Sequence, residues 1–320
     1  MTGAALGRLL DWCGRHATKI LAAGVGIGLL LPWLATLVRP GLIVFIMVPL
    51  VVALMRVDLA DLGGYVRRLP VIALISLWLL LASPIATWLV LNTTPLPAPL
   101  IAAVVLMAAA PPIVSAAAIT MILGFDAAVT LIVTMVTMWA VPFVLPPLAL
   151  NMLGLELDIS LFEFSSRLTV FVVVAFALGW LARRLVGAKR IARYDQKFDG
   201  LSVVFMLFFA IALMDGIAAQ LAARPGYVLL TMALGFACNI GLQIPAGLLF
   251  WPLGRRAALA VALMSGNRNM GLMLVVLADR ADFDITLFFA MAQVPMYTLP
   301  VLLTPVYRRL GVAAKHASRP

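Results

Sequence analysis

Two stretches of polar and helix-breaking residues interrupt long apolar runs of this sequence, and binding chemistry is most readily built there. One stretch holds Arg268 between Asn267 and Asn269, with Gly266 and Gly271 on either side. An arginine at the centre of a membrane helix costs at least ~2.5 kcal/mol, and ionisable groups at that depth mark binding sites or transport pathways. The segment therefore predicts an anion site contacted by Asn267, Arg268 and Asn269.

The other stretch is the proline pair Pro111 and Pro112 in the middle of an apolar run. Two successive prolines remove two N–H donors and crowd the preceding turn, so a broken or kinked helix is predicted. Ser115 follows one turn later as a candidate cap and substrate contact.

An alternative role for Arg268 is structural, because a guanidinium can donate hydrogen bonds to carbonyl groups that broken helices set free.

The composition indicates which solvent surrounds these segments. Hydrophobic residues make up 64% of the 320 residues and charged residues only 11%, so lipid is needed as solvent. The net charge of +10 comes from cations between apolar runs, which favours the positive-inside rule over nucleic-acid binding. We therefore predict an all-α polytopic membrane protein.

Ten apolar runs can be marked off at charges and turn signals, since a bilayer core of ~30 Å needs about 20 helical residues. The first run follows a basic, polar segment, and its length predicts a membrane helix rather than a cleaved signal peptide. The fourth and ninth runs contain the two interruptions. The predicted spans are residues 17–38, 41–55, 70–91, 99–123, 127–150, 168–185, 201–221, 227–251, 256–277 and 285–307.

The 23 lysines and arginines are unevenly distributed between the two ends of these spans. Arg39, Arg167, Arg224 and Arg280 fall at one end and Arg268 inside a span, whereas the other eighteen fall at the opposite end. The positive-inside rule makes that end, with both short terminal tails, cytoplasmic. The excess of arginine over lysine favours a bacterial inner membrane.

The chain is predicted to form a single membrane transporter domain over residues 1–320, built from repeats at about 17–150 and 167–307. Because each repeat has five spans, the second enters the membrane from the opposite face, as in many secondary carriers. Short matches in similar register support the repeat, such as the Ala-Leu-Met tripeptides at 53–55 and 212–214.

Within this organisation the chain has polar or turn-forming residues at 111–115, a Gly-Phe-Asp turn at 124–126, Thr130, Thr134 and the segment 266–272. With these residues and this organisation it resembles the bile acid:sodium symporter family. The resemblance implies that the broken fourth and ninth helices cross at mid-membrane and that a panel domain and a core domain are present. It also implies alternating-access transport of an organic anion, such as a bile acid, a steroid conjugate, pantothenate or a keto acid.

The resemblance further implies two sodium ions behind the crossing, but the sequence departs from the family there. The family's Ser-Asn pair aligns with two alanines at 116–117, its ninth-span glutamate with Met264, and a sodium-binding glutamine with Arg268. Thr130 and Thr134 keep an oxygen and are residual ion-site candidates, and Thr134 is also a candidate substrate contact. We predict weakened or absent sodium coupling, with the Arg268 guanidinium as a built-in cation.

Other functions remain open at this stage. An auxin-efflux-type carrier has the same crossed-helix architecture, and a non-transporting membrane sensor or scaffold could retain a carrier fold. An embedded enzyme is not expected, because the sequence has no HExxH motif, no paired intramembrane carboxylates and no Ser/His arrangement. Cys13 and Cys238 lack metal-ligand spacing, so no metal site or cofactor is predicted, and no protein partner is indicated.

Overall fold

A computed structural model describes residues 3–57, 68–152, 155, 157–277 and 280–316. Helices account for 85% of the fold, and the described residues contain one isolated β-bridge but no β-strand. In chain order the helices are α1 (Gly3–Arg15), α2 (Ala17–Leu30), α3 (Pro32–Val38), α4 (Leu42–Leu54), α5 (Leu69–Leu77), α6 (Ser83–Leu91), α7 (Ala98–Ala109), α8 (Ala116–Ile122), α9 (Ala127–Pro147), α10 (Leu161–Val186), α11 (Ala188–Arg193), α12 (Asp195–Ala212), α13 (Ile217–Ala223), α14 (Pro225–Leu249), α15 (Arg255–Gly266), α16 (Met270–Leu277), α17 (Phe283–Leu302) and α18 (Thr304–His316).

Six helical segments among the described residues are long and apolar enough to cross a membrane. A seventh is obtained if α12 and α13, which are bent by 43° at their junction, count as one span. The prediction of an all-α multi-pass protein is therefore confirmed, whereas ten spans in inverted halves stay a prediction. The six segments are Pro32–Leu54, Leu69–Leu91, Ala127–Asn151, Leu161–Val186, Pro225–Leu249 and Phe283–Leu302.

The first two predicted spans are divided differently in the structure. The chain leaves the helical conformation at Leu31, because Pro32 favours the first position of a new helix. The expected boundary between residues 38 and 41 is instead a 3₁₀ turn, Arg39–Gly41, through which the helix continues. One 23-residue segment, Pro32–Leu54, thus joins the end of the first predicted span to the second.

The helices form two compact units, and the prediction of a single domain stays a prediction. Unit 1 comprises Met1–Leu59 and Val170–Val228, and unit 2 comprises Ala60–Thr169 and Leu229–Pro320. Unit 1 is organised around α12, which packs against α1, α2 and α4. Unit 2 holds the half-helices around both sequence interruptions.

Close helix packing in unit 1 depends on glycine. A methyl group on Gly24 would come within 2.9 Å of Leu207 Cδ1, and one on Gly28 within 2.8 Å of Ile211 O. Small residues let membrane helices approach closely in this way. Because both contacts advance in the same direction along the two helices, α2 and α12 run parallel.

Candidate functional site at two paired helix breaks

Two helices of unit 2 are interrupted where the sequence carries its prolines and polar residues. The first break separates α7 from α8 and contains Pro111 and Pro112, while the second separates α15 from α16 and contains Asn267 to Asn269. Gly266 is the last residue of α15, and Gly271 lies in the first turn of α16. Residues 110–115 and 265–269 are called the break pair below.

The two breaks bind each other through their backbones. Ile113 N donates to Asn267 O at 3.0 Å, and Asn269 N donates to Pro111 O at 2.8 Å. Pro112 and Arg268 lie opposite each other as an isolated antiparallel bridge. Backbone groups that each helix loses at its break are thus satisfied by the other break, as a water-free interior requires.

The Arg268 side chain is fully buried and donates to four oxygen atoms. Nε donates to Ser265 O at 2.8 Å, Nη1 to Leu79 O at 3.1 Å and Ala110 O at 2.9 Å, and Nη2 to the Ser83 hydroxyl at 3.0 Å. The guanidinium therefore lies inside a shell of protein oxygens.

The oxygens around Arg268 come from places where helices leave carbonyl groups unpaired. Ser265 lies in the last turn of α15 and Ala110 follows the last residue of α7, where helix C-termini carry partial negative charge. Leu79 belongs to a π-helical segment, Trp78–Ala82, whose wider turn changes the usual hydrogen-bond pattern. A cation at this point stabilises two helix C-termini and one π-helical turn together.

Arg268 forms no ion pair with any carboxylate of the described residues. Asp215, the carboxylate closest to a span interior in the sequence, has other partners in unit 1. Its Oδ2 accepts from Arg39 Nη1 and its Oδ1 from Thr36 Oγ1, both at 2.6 Å. The break pair therefore keeps a net positive charge, which favours an anion nearby.

A chain of buried side-chain hydrogen bonds ends at the second break. The Tyr307 hydroxyl donates to Gln243 Oε1, Gln243 Nε2 donates to Asn239 Oδ1, and Asn239 Nδ2 donates to Gly266 O at 2.7 Å. Sequence reasoning gave Asn239 and Gln243 no role, although their four-residue spacing places them on one helix face. The chain satisfies the Gly266 carbonyl and fixes α15 against α14.

Replacing Gly266 by alanine is expected to lower the melting temperature in detergent, because the added Cβ would lie 2.5 Å from Gln243 Cγ and 2.7 Å from Asn239 O. The free energy of unfolding should fall by about 1–3 kcal/mol, which is typical of overpacking. Gly241→Ala is the control, since its Cβ would meet no atom within 4 Å. Equal melting temperatures for the two variants would contradict the tight fit at Gly266.

The predicted substrate contacts have different environments. Asn267 Nδ2 donates to Leu263 O at 2.8 Å, while its buried Oδ1 has no hydrogen-bond partner among the described residues. Asn269 Oδ1 accepts from Leu272 N at 3.2 Å and caps α16. Their substrate roles stay predictions, and Asn267 Oδ1 is the acceptor that a ligand could still use.

Ser115 occupies the N-cap position of α8, but its exposed side chain makes no capping hydrogen bond. The expectation of a serine cap is therefore wrong. Its backbone has helical φ and ψ of −67° and −10°, whereas a capping side chain needs an extended N-cap residue. Its substrate role stays a prediction.

The threonines of α9 use their hydroxyl protons within their own helix. Thr130 Oγ1 donates to Asp126 O at 2.9 Å, and Thr134 Oγ1 donates to Thr130 O at 2.7 Å. Asp126 caps α9 by accepting from Val129 N and also pairs with Arg68 Nη1 at 2.8 Å. Each threonine oxygen keeps lone pairs, and both residues stay candidates for ion or substrate contact.

Three other positions at which the resemblance implies sodium ligands are apolar, and the fourth is Arg268. Met264 and Ala116 are fully buried members of one hydrophobic cluster, so neither contributes a side-chain oxygen. Sodium needs several oxygen ligands, and the two threonine hydroxyls alone do not provide them. The residues present therefore do not fit a family-type sodium site.

Gln293 is a polar residue of the site region to which sequence reasoning assigned no role. It is 3% exposed, and neither Nε2 nor Oε1 has a hydrogen-bond partner among the described residues. Its helix, α17, packs against α7 and α16, the half-helices beside the two breaks. A buried amide without partners is costly, which is the signal that a ligand or water satisfies it.

Comparisons with known proteins agree with the sequence resemblance. A model described as the Sodium Bile acid symporter family matches residues 40–224, which is more than half of the chain. The match includes the first break, Thr130 and Thr134, and it ends before the second break. A search of curated proteins found no match.

Proposed function

This chain belongs to the Sodium Bile acid symporter family, and we propose that it transports an organic anion without sodium, using Arg268 as a fixed cation. Family membership makes it a multi-pass membrane transporter. The proposal concerns the finer points, which are the coupling ion, the substrate class and the topology.

The observation that carries the proposal is the oxygen shell around Arg268. Three backbone carbonyls and one hydroxyl surround the guanidinium, and two of the carbonyls lie at helix C-termini. Backbone carbonyls and half-helix C-termini are the groups with which broken-helix transporters coordinate cations. A covalently attached cation supplies that charge in every conformational state, so no ion needs to be bound or released.

The residues at the expected sodium positions support the same proposal. Met264 and Ala116 bring methyl groups where a sodium site requires oxygen. With those ligands absent, a sodium ion would lose its hydration shell without replacement. No free energy of sodium binding would therefore be available to drive transport.

The proposed substrate is a small or amphipathic organic anion, such as a bile-acid-like, pantothenate-like or keto acid. The uncompensated charge of Arg268 attracts the carboxylate, although its donors are directed to protein oxygens. The unpartnered Asn267 Oδ1 and the Gln293 amide are the groups proposed to contact it. Asn269, Ser115 and Thr134 are kept as further candidates.

The proposed topology has ten spans in two inverted five-helix halves, with both termini cytoplasmic in a bacterial inner membrane. The count is reached if α2 is a span and if α7 with α8, α12 with α13, and α15 with α16 each form one span. The parallel packing of α2 and α12 supports it, because the first and seventh spans of such a plan run in the same direction. Unit 1 is then the panel domain and unit 2 the core domain.

Uptake by proteoliposomes tests the proposal. The purified protein is reconstituted, and uptake of a labelled bile acid, pantothenate and a keto acid is measured with sodium or potassium on both sides. The expected result is uptake of at least one anion at the same initial rate in both salts. Uptake that requires an inward sodium gradient would contradict the proposal, and binding without uptake would favour a non-transporting sensor.

A further inference from the structure

Helix α1 of unit 1 carries an exposed apolar stripe beside basic residues. Leu6, Leu9 and Trp12 are each about half exposed, and their three-residue spacing places them on one side of the helix. Arg8 and Arg15 are exposed on the same helix. An apolar stripe flanked by arginines is typical of a helix that lies in the membrane interface.

The packing of α1 against α12 indicates the depth in the membrane at which this stripe lies. A methyl group on Gly200 would come within 1.9 Å of Leu10 O, and one on Gly14 within 3.1 Å of Gln196 O, so α1 is pressed against the first turns of α12. These turns contain charged side chains, which mark the point where a spanning helix enters the hydrocarbon. This packing supports a position of the stripe at the boundary between headgroups and acyl chains.

Two cations surround one aromatic ring at the same end of α12. The Arg193 guanidinium lies 5.6 Å from the Tyr194 ring centroid, and the Lys197 ammonium lies 4.9 Å from it. A Cβ on Gly7 would be 3.2 Å from Lys197 Nζ, which places this cation directly against α1. Neither cation forms an ion pair with a described residue.

The neighbouring carboxylates offset these cations only in part, because one arginine binds both of them. Arg56 binds Asp195 Oδ1 through Nε at 3.0 Å and Asp199 Oδ1 through Nη1 at 2.7 Å. Asp11, the acidic residue of α1, is outnumbered by the two arginines of that helix. The surface formed by α1, Arg193 and Lys197 thus carries positive charge that the protein itself does not compensate.

We propose that this surface binds anionic phospholipids of the leaflet on the predicted cytoplasmic side. Leu6, Leu9 and Trp12 insert between acyl chains, while Arg193 and Lys197 bind headgroup phosphates. The occupant is a lipid because apolar insertion and phosphate binding are combined on one surface at interface depth. The inference rests on membrane insertion alone and is independent of the transported substrate.

Quenching of Trp12 fluorescence tests the proposal. The full chain is reconstituted in phosphatidylcholine vesicles that contain a minor fraction of brominated phosphatidylglycerol or, in parallel, brominated phosphatidylcholine. The Trp12 signal is obtained by subtracting the spectrum of Trp12→Phe. Quenching by the anionic lipid should be at least about fivefold stronger, since each basic residue at an anionic surface contributes roughly that factor.

Charge variants identify the surface responsible. Arg193→Gln with Lys197→Gln should abolish the preference for the anionic lipid, and high salt should weaken it in the unaltered protein. The matched control is Arg308→Gln with Arg309→Gln, which removes the same charge from exposed positions of α18. Three results would overturn the proposal. They are equal quenching of the unaltered protein by the two lipids, a preference for the anionic lipid that persists in the first variant, and an equal loss of that preference in the control variant.

Discussion

Replacing Arg268 by glutamine is expected to lower the melting temperature in detergent sharply, because three buried carbonyl groups lose a charged donor together. Each unsatisfied buried group costs about 1–3 kcal/mol, so the combined loss is at least about 3 kcal/mol. Arg224→Gln is the matched control, since Arg224 is exposed and bonds to Gln220 of the preceding helix. Thermal unfolding in detergent measures the melting temperatures of both variants.

Chemical rescue separates a cation role from a general packing defect. Arg268→Ala leaves a cavity lined by Ser265 O, Leu79 O, Ala110 O and the Ser83 hydroxyl, which matches a free guanidinium ion. Guanidinium at low concentration should raise the melting temperature of this variant and leave the unaltered protein unchanged. Absence of rescue would contradict the built-in cation. Unchanged stability with lost anion binding would instead assign Arg268 to direct substrate contact.

Both helix breaks could be predicted from sequence because their cause is local. Pro111 and Pro112 lack backbone donors, so a helix through them would lose two hydrogen bonds, which favours a break. Gly266 and Asn267 are poor helix formers, and Arg268 would not be placed in an apolar helix without a polar environment. In these segments the local chemistry of the residues favours the interruption.

The partners of Arg268 could not be predicted, because they depend on distant parts of the chain. Leu79 and Ser83 lie more than 180 positions away, and their segment contains a π-helical turn for which the sequence gives no signal. Sequence reasoning therefore left a substrate anion and freed carbonyls as alternative partners of Arg268. The geometry places carbonyls in direct contact and leaves the anion as a proposal.

Apolar length also predicts membrane segments better than it predicts their boundaries. The run from residue 17 to 55 is apolar almost throughout, and turns at Leu31 or at Arg39 satisfy the length requirement equally well. In the structure the first helix of this run ends at Leu30, and Gly24 and Gly28 pack closely against α12. Such contacts between distant helices are not encoded in the hydropathy of either helix.

Restoring the family's ligands is expected to create sodium-dependent stability that the natural chain lacks. The variant combines Ala116→Ser, Ala117→Asn, Met264→Glu and Arg268→Gln, which are the replacements that the resemblance specifies. Met264 and Ala116 belong to the same buried cluster, so the introduced oxygens enter one region. Sodium at about 100 times its dissociation constant would stabilise the variant by about 2.7 kcal/mol. Melting temperatures in sodium and potassium chloride measure the effect.

The charge change explains why sodium should become necessary in that variant. Removing Arg268 and adding a carboxylate changes the net charge of the site from positive to negative, and a buried carboxylate needs a cation nearby. Met264→Glu alone should show no sodium dependence, since Arg268 remains four residues away as its counter-ion. If that single variant required sodium, or the combined variant responded equally to sodium and potassium, Arg268 would not occupy the role of the ion. The contrast between these two variants therefore tests directly whether one arginine replaces the coupling cation.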